Sequence, residues 1–305
     1  MTLDVMLVVL GSALLHALWN ALVRSASDKF SSTVWIVCGA AVWALPLLFT
    51  TPVPASESWL YLLASVLIHG VYFTLVALAY RGSGLGVAYP LMRGSAPALT
   101  AVLGVLLLGE TLNMSAITGV ALVCAGVLSM GVAAWRNGST SKSSTQSFSQ
   151  LSQRPSVQGF TIMVALLNAV VIASYTLVDG AGVRLAGNPW SYTLYLFIGT
   201  ALLMGLMAWA RGRWQVRALN NTVQRMSQRE GLRLAAWGGA GTLGAYGLVL
   251  WAFAQAPVAL VAALRETSIV FALLLGAVFL KERLTRPKLI AVALIAAGAV
   301  CLKLA

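Results

Sequence analysis

The sequence predicts an all-α integral membrane protein of ten transmembrane helices arranged as two inverted five-helix repeats. Three observations lead there. Apolar residues make up 59% of the 305 residues and charged residues 9%, against roughly 45–50% and about 25% in soluble domains. The mean hydropathy of +0.87 agrees. Apolar runs close to the 20 residues that cross a hydrocarbon core of about 30 Å recur ten times. Finally, parts of the first half of the chain recur in the second.

The runs cover 3–23, 33–50, 58–80, 85–108, 114–135, 159–180, 190–210, 231–254, 257–280 and 287–304. They are apolar on every side, whereas strands of a spanning barrel would alternate in short segments. The first begins Met-Thr-Leu-Asp without a positive n-region and continues past the length of a signal-peptide core, so it is expected to be retained. Residues 1–135 and 159–305 form the two halves. Residues 136–158, rich in Ser, Thr and Gln, read as a flexible polar linker between them. Residues 211–230 carry Arg211, Arg213, Arg217, Arg225 and Arg229 around a stripe of Trp214, Leu219, Val223 and Met226. They fit either a short interfacial helix on an anionic leaflet or a solvated basic loop.

The net charge of +12, from 20 Lys+Arg and 8 Asp+Glu, would suggest nucleic acid as a partner in a soluble chain. Here its distribution records orientation. Loops on one side hold sixteen Lys/Arg, and the opposite side, which includes both termini, holds only Arg184 and Lys303. This predicts a basic cytoplasmic face and periplasmic termini in a bacterial inner membrane. The expected partners are a small-molecule substrate and the lipid bilayer, with no nucleic acid. Small-xxx-small spacings such as Gly82/Gly86 and Ala240/Gly244 can serve packing within the chain or a homodimer contact.

A shift of 172 aligns 93–126 with 265–298 with 11 of 34 positions identical, among them Arg93/Arg265, Gly104/Gly276, Glu110/Glu282 and Gly126/Gly298. Ala-Leu-Leu-His-Ala at 13–17 resembles Ala-Leu-Leu-Asn-Ala at 165–169 at a shift of 152, and the difference of 20 equals the length of the basic 211–230 segment. Each repeat therefore has five helices. Five is odd, so the second copy enters the bilayer upside down, as in transporters that place a site near the midplane.

With Tyr89-Pro90-Leu91, Pro97, Leu108-Gly109-Glu110-Thr111-Leu112 and Gly126 in the first half, and Leu280-Lys281-Glu282-Arg283-Leu284 and Gly298 in the second, the chain resembles the ten-helix, EamA-type members of the drug/metabolite transporter superfamily. The resemblance spans nearly the whole chain. It implies secondary transport of metabolites such as amino acids, sugars or nucleotide-linked compounds, with export of an amino acid or similar compound as the direction. It also implies cytoplasmic termini, the reverse of the Lys/Arg count.

Arg93 and Arg265 lie inside spans, where an arginine costs about 2.5–3.5 kcal/mol on insertion scales. Each is eight residues from the start of its span, roughly 12 Å deep, on helices that enter from opposite faces. They read either as a two-arginine clamp for an anionic group, suited to the guanidinium fork, or as members of an ion pair, Arg93 with Glu266. Glu266 can neutralise an arginine, bind a substrate amine or accept a coupling proton, and charge balance fits best with two arginines nearby. Tyr89 is a cavity candidate by its closeness to Arg93. Pro90 and Pro97 each remove a backbone donor and are expected to kink the fourth span. His16, Trp19 and Asn20 share a face of the first span, and Asn168 and Tyr175 lie in the repeat-related sixth. All five can line a cavity or make interhelical contacts. His69 reads as structural, Asp179 as a solvated or capping residue near a helix end, and Glu110 and Glu282 as structural at the membrane surface.

No metal or cofactor is expected. Two histidines 53 positions apart make no zinc site, and the chain lacks a phosphate-binding loop, a Gly-x-Ser-x-Gly and a His-Glu-x-x-His. Cys38, Cys124 and Cys301 read as small core hydrophobes. The rivals to metabolite transport are export of cationic drug-like compounds, which two arginines disfavour, an intramembrane enzyme, for which no nucleophile–base pair is found, and a non-transporting assembly protein.

Overall fold

Hydrocarbon offers the backbone no partners, so an apolar chain of this kind satisfies its N–H and C=O groups within helices. The computed structural model describes residues 1–24, 29–82, 85–140, 155–217, 228–279, 281 and 284–305, and among them there is no strand. The helices are α1 (Leu3–Arg24), α2 (Lys29–Leu47), α3 (Trp59–Gly82), α4 (Leu85–Leu108), α5 (Met114–Thr140), α6 (Pro155–Leu185), α7 (Pro189–Arg217), α8 (Gln228–Arg233), α9 (Gly239–Gln255), α10 (Val258–Arg265), α11 (Ser268–Phe279) and α12 (Arg286–Leu304). Nine segments among the described residues are long and apolar enough to cross a membrane. Large apolar side chains such as Leu60, Leu106, Leu202, Val278 and Phe279 point outward, an arrangement that suits lipid and not water.

Two expected spans are interrupted. The run 231–254 is built from α8, a π-helical turn at Leu234–Gly238, and α9. The turn falls where α2 comes closest: a Cβ on Gly39 would overlap the Ala235 backbone, and one on Gly239 would meet the backbone of Gly39 and Ala40. The Ala236 carbonyl in this turn accepts the Trp43 indole N–H at 3.0 Å. The run 257–280 is α10 and α11, separated at Glu266 and Thr267. α4, by contrast, runs unbroken through Pro90 and Pro97.

Residues 136–140 finish α5 and 155–158 begin α6, with Pro155 at a first-turn position that needs no N–H partner. Residues 141–154 lie outside the described set. So does 218–227, half of the basic segment read as an interfacial helix or a solvated loop; 211–217 closes α7 and 228–230 opens α8.

The chain forms two compact units that each draw on both halves of the sequence: Met1–Leu10, Thr74–Leu177 and Ala256–Ala305 in one, and Gly11–Phe73 with Val178–Gln255 in the other. In the first, α5 packs on α4 and on α12. The repeat-related Gly126 and Gly298 both lie in the α5–α12 crossing, where an added Cβ would stand 3.0 Å from the Ala291 carbonyl and 2.8 Å from that of Gly119. Small residues let backbones approach where hydrophobic exclusion gives no drive. In the second unit, α2, α7 and α9 enclose Ala40, Ala44, Leu194, Phe197 and Leu243, and the Ser12 hydroxyl of α1 donates to the Ala245 carbonyl at 2.6 Å.

Candidate substrate-binding site

α10 packs against α4, which brings the two intramembrane arginines and the one carboxylate of their spans into the first unit. Arg93 is 6% exposed, Arg265 5% and Glu266 2%. Arg93 Nε lies 2.9 Å from Glu266 Oε2. Tyr89, one turn before Arg93, hydrogen-bonds to it and lies within electrostatic range of Arg265 and Glu266. The ion pair considered for Arg93 is thus present, and it leaves the second arginine differently placed. Arg265 Nε is buried without a hydrogen-bond partner among the described residues. The trio holds two cations and one anion, so a buried positive charge is left over.

The break beside Arg265 has a local cause. Arg265-Glu266-Thr267-Ser268 is a polar run inside an apolar span, and Ser and Thr hydroxyls compete with the backbone ladder. The Thr267 hydroxyl donates to the Leu264 carbonyl at 2.7 Å. The amides of Glu266, Thr267 and Ile269 reach back only three residues, to Ala263, Leu264 and Glu266. The run is visible in sequence, although helical periodicity alone conceals it.

Glu110 fixes the other end of α10. Gly109 ends α4 with φ +65°, and the Glu110 carboxylate then accepts the amides of Val258 at 2.6 Å and Ala259 at 3.2 Å. An anion at a helix N-terminus and an arginine at its C-terminus both complement the dipole. The structural role expected of Glu110 takes this form; its repeat partner Glu282 lies outside the described residues. Glu110→Ala leaves two amides uncapped and is expected to lower stability by about 1–2 kcal/mol, with Glu110→Gln costing less. Thermal unfolding of the two variants in detergent checks the order, and equal midpoints for both and wild type would contradict the cap.

Asn168 of α6 is fully buried. Its amide donates to Met92 Sδ at 3.0 Å, next to Arg93 in sequence, while its Oδ1 has no partner among the described residues. Tyr175 is buried two turns further along the same helix. Thr176 Oγ1 and Ser268 Oγ are buried and unpartnered in the same unit; neither stands out in the sequence, because lone hydroxyls are common in membrane helices. His16, Trp19 and Asn20 belong to the other unit and make local contacts. The His16 and Trp19 rings meet edge-on at 5.2 Å, Asn20 donates to the His16 carbonyl at 3.0 Å, and Trp19 packs over Gly241 with its indole N–H unpartnered.

Asp179 corrects an expectation. α6 extends to Leu185, beyond the predicted end at 180, so Asp179 is no terminal residue but is completely buried, with tyrosine hydroxyls on both carboxylate oxygens. Among the described residues no three His, Cys, Asp or Glu side chains gather as metal ligands.

The comparisons with known proteins bear on this architecture. A solved structure described as "Crystal structure of protein" is similar over 99% of this chain and 97% of its own, with a TM-score of 0.73 and 19% identity, a likeness of fold. No curated protein sequence matches the chain. The model of the EamA-like transporter family matches residues 4–132 and again 159–304, one copy in each half. With two copies covering most of its length, this multi-pass membrane protein belongs to the EamA-like transporter family, within the drug/metabolite transporter superfamily.

Proposed function

We propose that the protein is a secondary transporter that carries a small polar metabolite with an anionic group, such as an amino acid or an organic anion, across the bacterial inner membrane by alternating access, with export as its direction. The observation that carries the reading is Arg265. Arg93 Nε has a carboxylate oxygen of Glu266 at 2.9 Å, and the Arg265 Nε donor is buried without a hydrogen-bond partner among the described residues. A buried guanidinium N–H without an acceptor is costly, and a carboxylate or phosphate fits the planar fork. Tyr89 and Asn168 are the neutral groups we assign to the rest of the ligand. The surplus of one positive charge disfavours cationic drugs. The excess of Lys/Arg on one side supports a cytoplasmic position for that face.

A thermal-stability screen of the purified full chain in detergent tests this, using small organic anions, zwitterionic amino acids and organic cations. A ligand that binds only the folded state stabilises it, by about 2.7 kcal/mol at a hundred times its Kd. We expect a raised midpoint with a member of the first two classes and none with the third. Stabilisation by cations alone would sink the assignment.

A further inference from the structure

The second unit holds a buried carboxylate that the arginine site does not use. Asp179 is 0% exposed. Its Oδ1 accepts from the Tyr192 hydroxyl at 3.0 Å and its Oδ2 from the Tyr246 hydroxyl at 2.6 Å. The Ser65 hydroxyl also hydrogen-bonds to it, and the His69 imidazole stands within electrostatic range. Ser65 and His69 are themselves joined, with Nδ1 3.1 Å from Ser65 Oγ and 2.9 Å from the Ser65 carbonyl. A carbonyl only accepts, so in that bond Nδ1 carries the proton. The His69 ring meets Tyr246 edge-on at 6.0 Å. Residues from α3, α6, α7 and α9 therefore converge on one carboxylate.

Tyr72 of α3 also meets the His69 ring edge-on, at 6.4 Å; further charged and titratable groups of the unit are engaged or lie elsewhere. Arg184, further along α6, turns its Nε to the Phe253 carbonyl at 3.0 Å. Tyr61 of α3 packs beside Gly182. α2 has no charged residue after Lys29, only Cys38. His16 of α1 faces Trp19, and Arg229 and Arg233 in α8 are exposed. Among the described residues no lysine or arginine pairs with Asp179.

The contrast with Glu266 is chemical. Glu266 answers a permanent cation, so loss of its charge strands Arg93. Asp179 is surrounded by hydroxyls and an imidazole, all of which can change hydrogen-bonding role or protonation state. Hydroxyls donate to the carboxylate, and each can rotate to accept when the carboxyl is protonated. Asp, Glu and His inside membrane spans build proton relays. We propose that Asp179 and His69 form a proton-binding site, apart from the arginine site, through which the transporter takes up and releases a proton. On uptake the proton adds to one carboxylate oxygen, and the hydroxyl that had donated to that oxygen turns to accept. On release the proton leaves that oxygen and the hydroxyl turns back to donate, with the His69 imidazole setting the carboxylate's proton affinity from within electrostatic range. The coupling role rests on the transporter reading, but the proton site itself does not.

Infrared difference spectra between acidic and neutral buffer, recorded on the full chain reconstituted in liposomes, use protons as the only probe. A protonated-carboxyl C=O band is expected at low pH that disappears in Asp179→Asn, changes frequency in Tyr246→Phe, and appears at a different pH in His69→Gln. If Asp179→Asn does not fold, Asp179→Glu serves in its place, and its band must move. A wild type without such a band, a band retained in Asp179→Asn or unmoved in Asp179→Glu, or a titration indifferent to His69→Gln overturns the proposal. Because no substrate is present, failure here leaves the arginine site standing, and failure of the anion screen leaves this site standing.

Discussion

Glu266→Ala is expected to destabilise the protein by about 3–5 kcal/mol, the cost of leaving one partner of a buried ion pair without the other. Arg93, at 6% exposure, would keep its charge, lose the carboxylate at 2.9 Å and face Arg265 without a screening anion. Glu266→Gln keeps the volume and a hydrogen-bond acceptor, so it should fall between alanine and wild type. The decisive variant is Arg93→Leu with Glu266→Leu. Removing both charges avoids the stranded ion, and the double variant should unfold at a higher temperature than either single leucine variant. The midpoints of the four species in one detergent form a double-mutant cycle. Strictly additive losses would mean that the pair is not coupled, and the electrostatic account of this site would be wrong.

Arg265→Ala should have the opposite signature. Its Nε has no partner among the described residues, so truncation removes an unsatisfied buried donor and leaves the Arg93–Glu266 pair intact. The ligand-free stability is therefore expected to stay within about 1 kcal/mol of wild type, and the stabilisation by an anion or amino acid to disappear. A charge-assisted hydrogen bond contributes about 1.5–3 kcal/mol, so loss of the fork weakens binding on the order of 10- to 100-fold. Arg265→Lys retains a point charge without the fork and should bind at intermediate strength. Thermal shift and calorimetric titration with the ligand found in the screen measure both quantities. Wild-type affinity in Arg265→Ala would remove this residue from the site, whatever the fate of Glu266.

Much of the architecture was readable because the bilayer imposes its demands locally. Ten apolar runs, their lengths and the family likeness follow from residues within about 20 positions of each other. The repeat also stands in the sequence, since Arg93 and Arg265 or Gly126 and Gly298 recur at one offset. The candidate site was partly readable for a related reason: an arginine in a span is conspicuous wherever it points. The misreadings have a common origin. Asp179 looked terminal because the apolar run fades near 180, yet packing carries α6 on to Leu185 and buries the carboxylate under Tyr192 and Tyr246, 13 and 67 positions away. The eighth span looked uniform, and its π turn arises only where α2 presses Gly39 against it.

Residue order alone identifies a helical membrane protein of the EamA type, built from two repeats and carrying two arginines in its spans. Helix packing brings Glu266 beside Arg93, sets Glu110 as the cap of the helix ending at Arg265, and surrounds Asp179 with hydroxyls and an imidazole. Transfer into hydrocarbon is a sum over single residues, so composition and span length already contain it. Partner choice depends on which helix faces meet, and those contacts join residues 13, 67 and 148 positions apart.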